Sequence, residues 1–226
     1  MEPVQNQFNP KNDIIKDVHL FNRVELFRKL IHLSICTGLF LGGHWVSWWL
    51  GVLFGMAGIF VTFYLDKFGF LDYFKGVKRS SNGHYWMFFG VLTTFLMYKQ
   101  NLAVDITKAN ASYAFALFSL GIADPLSMLG RPVFNYLCRY PSFVKISKYL
   151  TFERKTLTGS LIYFCVSLLI LACTLALMNL NLSSNQKVAA VVGLVGITAV
   201  EFFSIWGFDN VFIPVLSFVL LWLVLN

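Results

Sequence analysis

Long apolar stretches separated by short polar segments dominate the chain. A helix needs about 20 mostly apolar residues to cross a bilayer, and four stretches approach or reach that length: 45–65, 157–178, 188–206 and 208–225. Two shorter runs cover 84–98 and 111–123, and a seventh, 30–43, follows the charged stretch 23–29. Short apolar runs occur as buried core helices or re-entrant segments, and in a bundle as spans whose polar ends face a protein-lined cavity. The pattern predicts an all-α, polytopic transmembrane helix bundle of about seven spans. The connections after Leu41 and before Phe208 are very short, so the helices on either side form tight hairpins. Residues 1–22 read as a polar cytoplasmic segment and 23–226 as a single transmembrane domain, without internal repeat or low-complexity tract.

Composition narrows the class. Hydrophobic residues make up 57% of the 226 and charged residues only 13%, about half the ~25% usual in soluble domains. That excludes an ordinary soluble enzyme, and the apolar content excludes disorder. The net charge of +7 fits a cytoplasmic membrane face better than a nucleic-acid partner, because basic loops collect on that side. With the N-terminus inside and loops alternating, only Lys99, Lys108 and Lys187 fall outside, which leaves fifteen of the eighteen basic residues inside. The expected topology is N-terminus in and C-terminus out. Cys36, Cys138, Cys165 and Cys173 form no CxxC pair. They read as small apolar fillers, so neither a disulfide nor a zinc site is expected. The first twenty residues lack an apolar h-region, so no cleavable signal peptide is expected. Asn110-Ala-Ser112 and Asn181-Leu-Ser183 match the glycosylation pattern. Both lie close to the membrane and the pattern is common by chance.

Ionisable residues inside spans are costly and mark function or pairing. They gather in four segments, all at cytoplasmic span ends under this topology. In Glu25-Leu-Phe-Arg28-Lys29-Leu-Ile-His32, Arg28 and Lys29 stand four and three residues before His32, on one helix face. A basic flank with a Glu25–Lys29 pair accounts for the cations but not for His32. In 121–131, Asp124 ends an apolar run and Gly130-Arg131 follow. Asp124 suits a hard divalent ion or a helix cap before Pro125, and Gly130 permits close approach. In 153–160, Lys155-Thr156 precede Thr158-Gly159-Ser160 at the start of a long span. That is a phosphate cradle or a hydroxyl cap with snorkelling cations. The fourth segment places Glu201 inside a span, with Asp209-Asn210 where the next begins. Capping explains Asp209 or Asn210 and leaves Glu201 unexplained. Basic groups to grip phosphate and carboxylates to carry a divalent ion, on one membrane face, suit chemistry on a phosphate-bearing lipid.

Arg28-Lys29-x-x-His32, then Asp124 with Gly130, then Lys155-Thr156-x-x-Gly159-Ser160, then Glu201 with Asp209-Asn210-x-x-x-Pro214 occur in this order. The series resembles the polyprenol kinase family, which includes dolichol kinase, phytol kinase and CTP-dependent diacylglycerol kinase, and it extends from about Glu25 to the C-terminus. The resemblance implies a multi-span, Mg²⁺-dependent kinase. It would move the terminal phosphate of a nucleoside triphosphate, typically CTP, to a lipid alcohol. By position it implies phosphate contacts from Arg28, Lys29 and Lys155, with Gly130, Arg131, Thr156, Gly159, Ser160 and Asn210 beside them. Asp124, Glu201 and Asp209 become candidates for metal binding or for accepting the alcohol proton, and His32 for orienting a phosphate or a carboxylate. The chain departs from the family where Thr158 stands in place of a frequent Glu, where no second glycine follows Gly130 (Phe134 lies in that region), and in the long stretch 132–152, whose basic and aromatic residues suit the headgroup layer.

Two other classes stay open. A CTP-using cytidylyltransferase is also polytopic and basic, but its Gly-Gly and Asp-Arg signature is missing after Gly130. A small cation-coupled transporter could use Glu201 and Asp209, yet such sites lie near the midplane of inverted repeats, and the sequence has no repeat.

Overall fold

The structure, a computed structural model, describes residues 23–68, 83–140, 147, 150–152 and 155–226, the side chains of 23–28 and of His84 excepted. The 1–22 segment and the loop cations Lys75, Lys78, Arg79, Lys145, Lys148 and Arg154 therefore lie outside the described residues.

Each apolar run falls mainly within one helical stretch. In chain order these are α1 (Arg23–Gly42), α2 (Trp48–Lys67), α3 (Gly83–Leu102) and α4 (Ile106–Phe118). A π-helical turn (Ser119–Ala123) joins α4 to α5 (Asp124–Ser127), and α6 (Gly130–Leu137) follows. A hairpin of two-residue strands, β1 (Thr151–Phe152) and β2 (Lys155–Thr156), leads into α7 (Leu157–Leu177), α8 (Ser184–Phe203) and α9 (Asp209–Leu225). Four stretches are long and apolar enough to cross a membrane: Trp48–Lys67, Ile106–Leu137, Leu157–Leu177 and Ser184–Phe203. Lys29–Gly42 and Asp209–Leu225 are shorter apolar helices. The protein is an all-α membrane protein carrying one minimal hairpin.

Helix ends shift from the apolar runs where capping chemistry intervenes. The 111–123 run starts its helix earlier because Asp105 accepts hydrogen bonds from the Thr107 and Lys108 N–H groups, both at 3.0 Å. A capping box of Ser183 and Gln186 starts α8 ahead of the 188–206 run. That helix also ends early, at Phe203, because Ser204 turns extended (φ −68°, ψ 129°), and Trp206 and Gly207 then take positive φ, 54° and 86°.

Helix α9 packs against α3, α4 and α8, and α7 against α8 and the π-turn region. Alanines at 109, 111, 114 and 116 make α4 narrow enough to be enclosed, so a short run becomes a core helix. Helix α2 has no buried residue. It meets α3 through Gly51, Gly55 and Gly58, which lie against the side chains of Phe95, Leu92 and Phe88. Small residues let membrane helices approach closely in this way, and the exposed Trp49, Leu53, Phe54, Phe60 and Phe63 suit lipid. Asn110 accepts a hydrogen bond from the Tyr98 hydroxyl at 2.9 Å and Ser112 is fully buried, so that sequon is closed to modification.

Candidate functional site

Four polar segments that are distant in sequence meet in one network. From α1, Lys29 Nζ donates to Asp124 Oδ2 at 2.5 Å. Asp124 follows directly on the π-turn. Such a turn admits an extra residue, which rotates everything after it by about 100° relative to a continuous α-helix. Asp124 makes no cap: Ala123 before it is already helical and no side chain caps α5. Its carboxylate goes sideways to the lysine instead. His32, one turn beyond Lys29, is buried on the same helix.

The second centre is Lys155. The hairpin sets Phe152 opposite Lys155, and Phe152 rests on Phe202 and Phe203 at the end of α8, with ring centroids 6.2 and 5.4 Å away. That anchoring aims the lysine inward. Its ammonium donates to Asp209 Oδ2 at 2.7 Å and to the Glu201 backbone carbonyl, and it pairs with Glu201 Oε1 at 3.0 Å. Three acceptors match its three N–H donors. The other Glu201 oxygen accepts from Ser160 Oγ at 2.6 Å. Because α8 ends at Phe203, Glu201 lies in its last turn rather than deep inside a span, and it is held there on both oxygens.

Burial disfavours the Lys155 ammonium, but Asp209 and Glu201, helped by the more distant Asp124, outweigh it and raise its pKa above the usual 10.5. A cation with a raised folded-state pKa stabilises fully below its unfolded pKa, and that contribution is lost as pH rises through the folded value. The contribution of Lys155 to stability should therefore be constant through neutral pH and decline only above about 10.5. A thermal-unfolding series from neutral to strongly alkaline pH, compared with Lys155→Arg, checks it: loss near neutrality would contradict the buried pairing.

Gly130 and Gly159 bring α6 onto the first turn of α7. A Cβ on Gly130 would fall on the backbone of Gly159, and one on Gly159 would lie 2.8 Å from the Ser127 carbonyl oxygen. Thr156 caps α7, accepting from Gly159 N–H at 3.2 Å, and Thr158 Oγ1 donates to the Gly130 carbonyl at 2.7 Å. The capping reading of Thr156 therefore holds, and Thr158, where the sequence departs from the family, ties two segments together. The Asn210 side chain bonds away from the charges, its Nδ2 donating to the Gly83 carbonyl at 2.8 Å, while its backbone N–H donates to Asp209 Oδ1 at 3.1 Å. It joins the start of α3 to the start of α9. Arg131 is exposed on α6, and the Arg28 side chain lies outside the described residues. Sequence reasoning missed Gly83, Phe152 and the π-turn. Only the Asn82-Gly83 turn signal and the aromatic pair at 202–203 hint at them.

The network sets three carboxylates against two ammonium groups, a surplus of one negative charge among these five side chains. Among the described residues no three of His, Cys, Asp and Glu gather into a metal-binding group. Mg²⁺ ordinarily takes one or two carboxylates and fills the rest of its shell with phosphate and water. Glu201 and Asp209, which converge on one ammonium, therefore fit Mg²⁺ carried with a triphosphate. Compared with protein-family models, curated proteins and solved structures, the chain has no significant match.

Proposed function

We propose that the protein is a lipid-alcohol kinase of the membrane, transferring the terminal phosphate of a nucleoside triphosphate, CTP by resemblance, to a polyprenol, dolichol, phytol or diacylglycerol. The observation that carries this reading is the convergence of Lys29–Asp124 and Lys155–Glu201–Asp209 on neighbouring helix ends, with Gly130 and Gly159 between them. The proposal includes seven spans with the N-terminus cytoplasmic and the network facing the cytoplasm, where the nucleotide is. Phosphoryl transfer asks mainly for positioning and charge stabilisation, and this set of residues offers both. The two lysines, already desolvated, exchange carboxylate partners for phosphate oxygens. Asp209 and Glu201 would hold Mg²⁺, which would supply neutralisation of phosphate charge. Asp124, once Lys29 turns to phosphate, is free to take the proton of the attacking alcohol.

The test uses the full chain in lipid nanodiscs, Mg²⁺, and CTP or ATP labelled at the α or terminal phosphate, with polyprenol, dolichol, phytol and diacylglycerol as acceptors. Terminal label should appear in one lipid and be lost in Asp209→Asn and Lys155→Met. Label arriving only from the α-phosphate would mean a cytidylyltransferase. No transfer from either position, with folded protein, would end the enzyme reading.

A further inference from the structure

Helix α6 carries a surface that the charged network leaves unused. The 13 residues of α4 and the 5 of the π-turn rise roughly 25 Å, and the 4 residues of α5 bring the stretch to about the 30 Å of a hydrocarbon core. The helical stretch nevertheless runs on to Leu137, so α6 begins where the hydrocarbon ends. Its contacts agree, since Gly130 lies on Gly159 in the first turn of the spanning helix α7. Helical periodicity then divides α6 and its flanks into three stripes. Gly130 and Phe134 are buried, on the side packed against α7 and β2. Leu129, Val133, Tyr136 and Tyr140 form an apolar stripe that is exposed throughout. Arg131, Asn135 and Arg139 follow at four-residue spacing, and both arginines are exposed.

Two arginines without a countercharge do not belong inside a hydrocarbon layer. No acidic residue occurs from 129 to 140, and neither arginine pairs with a carboxylate among the described residues. The Arg139 guanidinium lies over the Tyr136 ring at 5.3 Å, which holds it at the border between the basic and the apolar stripe. A helix with one apolar and one basic exposed stripe lies in the plane of the bilayer surface, its apolar side among the acyl chains and its cations among the headgroups. We propose that α6 lies in that plane and that Arg131 and Arg139 bind the phosphate headgroups of anionic phospholipids. An acidic protein would match the arginines but would leave the apolar stripe, at the depth where acyl chains begin, without a partner. The resemblance puts Arg131 beside the nucleotide, whereas the stripe it shares with Arg139 puts it among lipid headgroups. The inference rests on the placement of α6 and not on the reaction proposed for the network.

The test is native mass spectrometry of the full chain, released from micelles that carry equal amounts of phosphatidylglycerol and phosphatidylcholine. The protein should retain phosphatidylglycerol in preference. An arginine at a lipid surface strengthens the hold on anionic lipid about fivefold, so Arg131→Gln with Arg139→Gln should weaken the tightest phosphatidylglycerol site severalfold, up to about twenty-five. Replacing both by Lys should restore most of that affinity. Lys187→Gln, which removes an exposed cation at the start of α8, should leave it unchanged. Both arginine side chains are exposed, so the double variant should fold; if it does not, Arg139→Gln alone makes the same comparison. Equal retention of the two lipids by the unaltered protein would overturn the proposal. So would a preference that survives loss of both arginines, or one that Lys187→Gln lowers as far. No nucleotide is present in this measurement, so a failed kinase assay and a failed lipid site are separate outcomes.

Discussion

Lys155→Met is expected to destabilise the protein by about 3–5 kcal/mol, the usual cost of removing one partner from a buried ion pair. The stem volume is nearly kept and the charge is lost. Glu201 and Asp209, whose side chains are only 5% and 13% exposed, would then face each other with nothing between them. The Glu201 backbone carbonyl would also lose its donor. Lys155→Arg keeps the charge, but a planar guanidinium cannot distribute donors around a tetrahedron as an ammonium does. It should recover most of the stability while losing phosphate transfer if the proposed reaction is right. Adding Glu201→Gln to Lys155→Met should restore part of the loss, because one of the two stranded charges is gone. Denaturant or thermal unfolding at neutral pH measures all three. A Lys155→Met protein as stable as the unaltered chain would mean that the two carboxylates do not depend on this lysine.

The reach of the sequence follows from what lipid demands. Bilayer thickness dictates apolar run length, so the helices of the long apolar runs were legible, and even the short 111–123 run was recognisable as a core helix or an unusual span, whereas α5 and α6 fall in a stretch that reads as a loop. Charge inside such runs is expensive, which made Glu201 and Asp124 visible as residues needing partners. Which partner each takes was not legible. Lys29 and Asp124 are 95 residues apart, and helical periodicity says which face a residue occupies, not which helix that face meets. The π-turn is equally silent, because Ser119–Ala123 is as apolar and small as an ordinary helical turn, yet it decides where Asp124 points. The hairpin was missed for want of length: two residues per strand leave no alternation to read. Asn210 shows the limit of carrying roles over by motif. The resemblance implies a residue beside phosphate, and the structure ties it to the Gly83 carbonyl.

Gly130→Ala should be nearly as damaging, through shape alone. The added methyl would land on the backbone nitrogen and Cα of Gly159 and on the carbonyl carbon of Thr158. A flexible side chain can swing away from an intruding methyl, but the first turn of a capped helix cannot. Helices α6 and α7 must part, which breaks the Thr158–Gly130 hydrogen bond and shifts Ser160 from Glu201. Overpacking typically costs about 1–3 kcal/mol, and a collision between backbones belongs at the upper end of that range. Gly38→Ala is the matched control, since a Cβ there meets nothing within 4 Å. It should be neutral or slightly stabilising, as alanine favours helix over glycine. Unfolding curves for the two variants side by side decide the matter. Equal stability would show that α6 yields freely and that the contact between Gly130 and Gly159 does not fix the geometry of the network. A large loss confined to Gly130→Ala would show that the distance between the Asp124 and Lys155 halves is set by two residues with no side chain, whose only contribution is the room they leave.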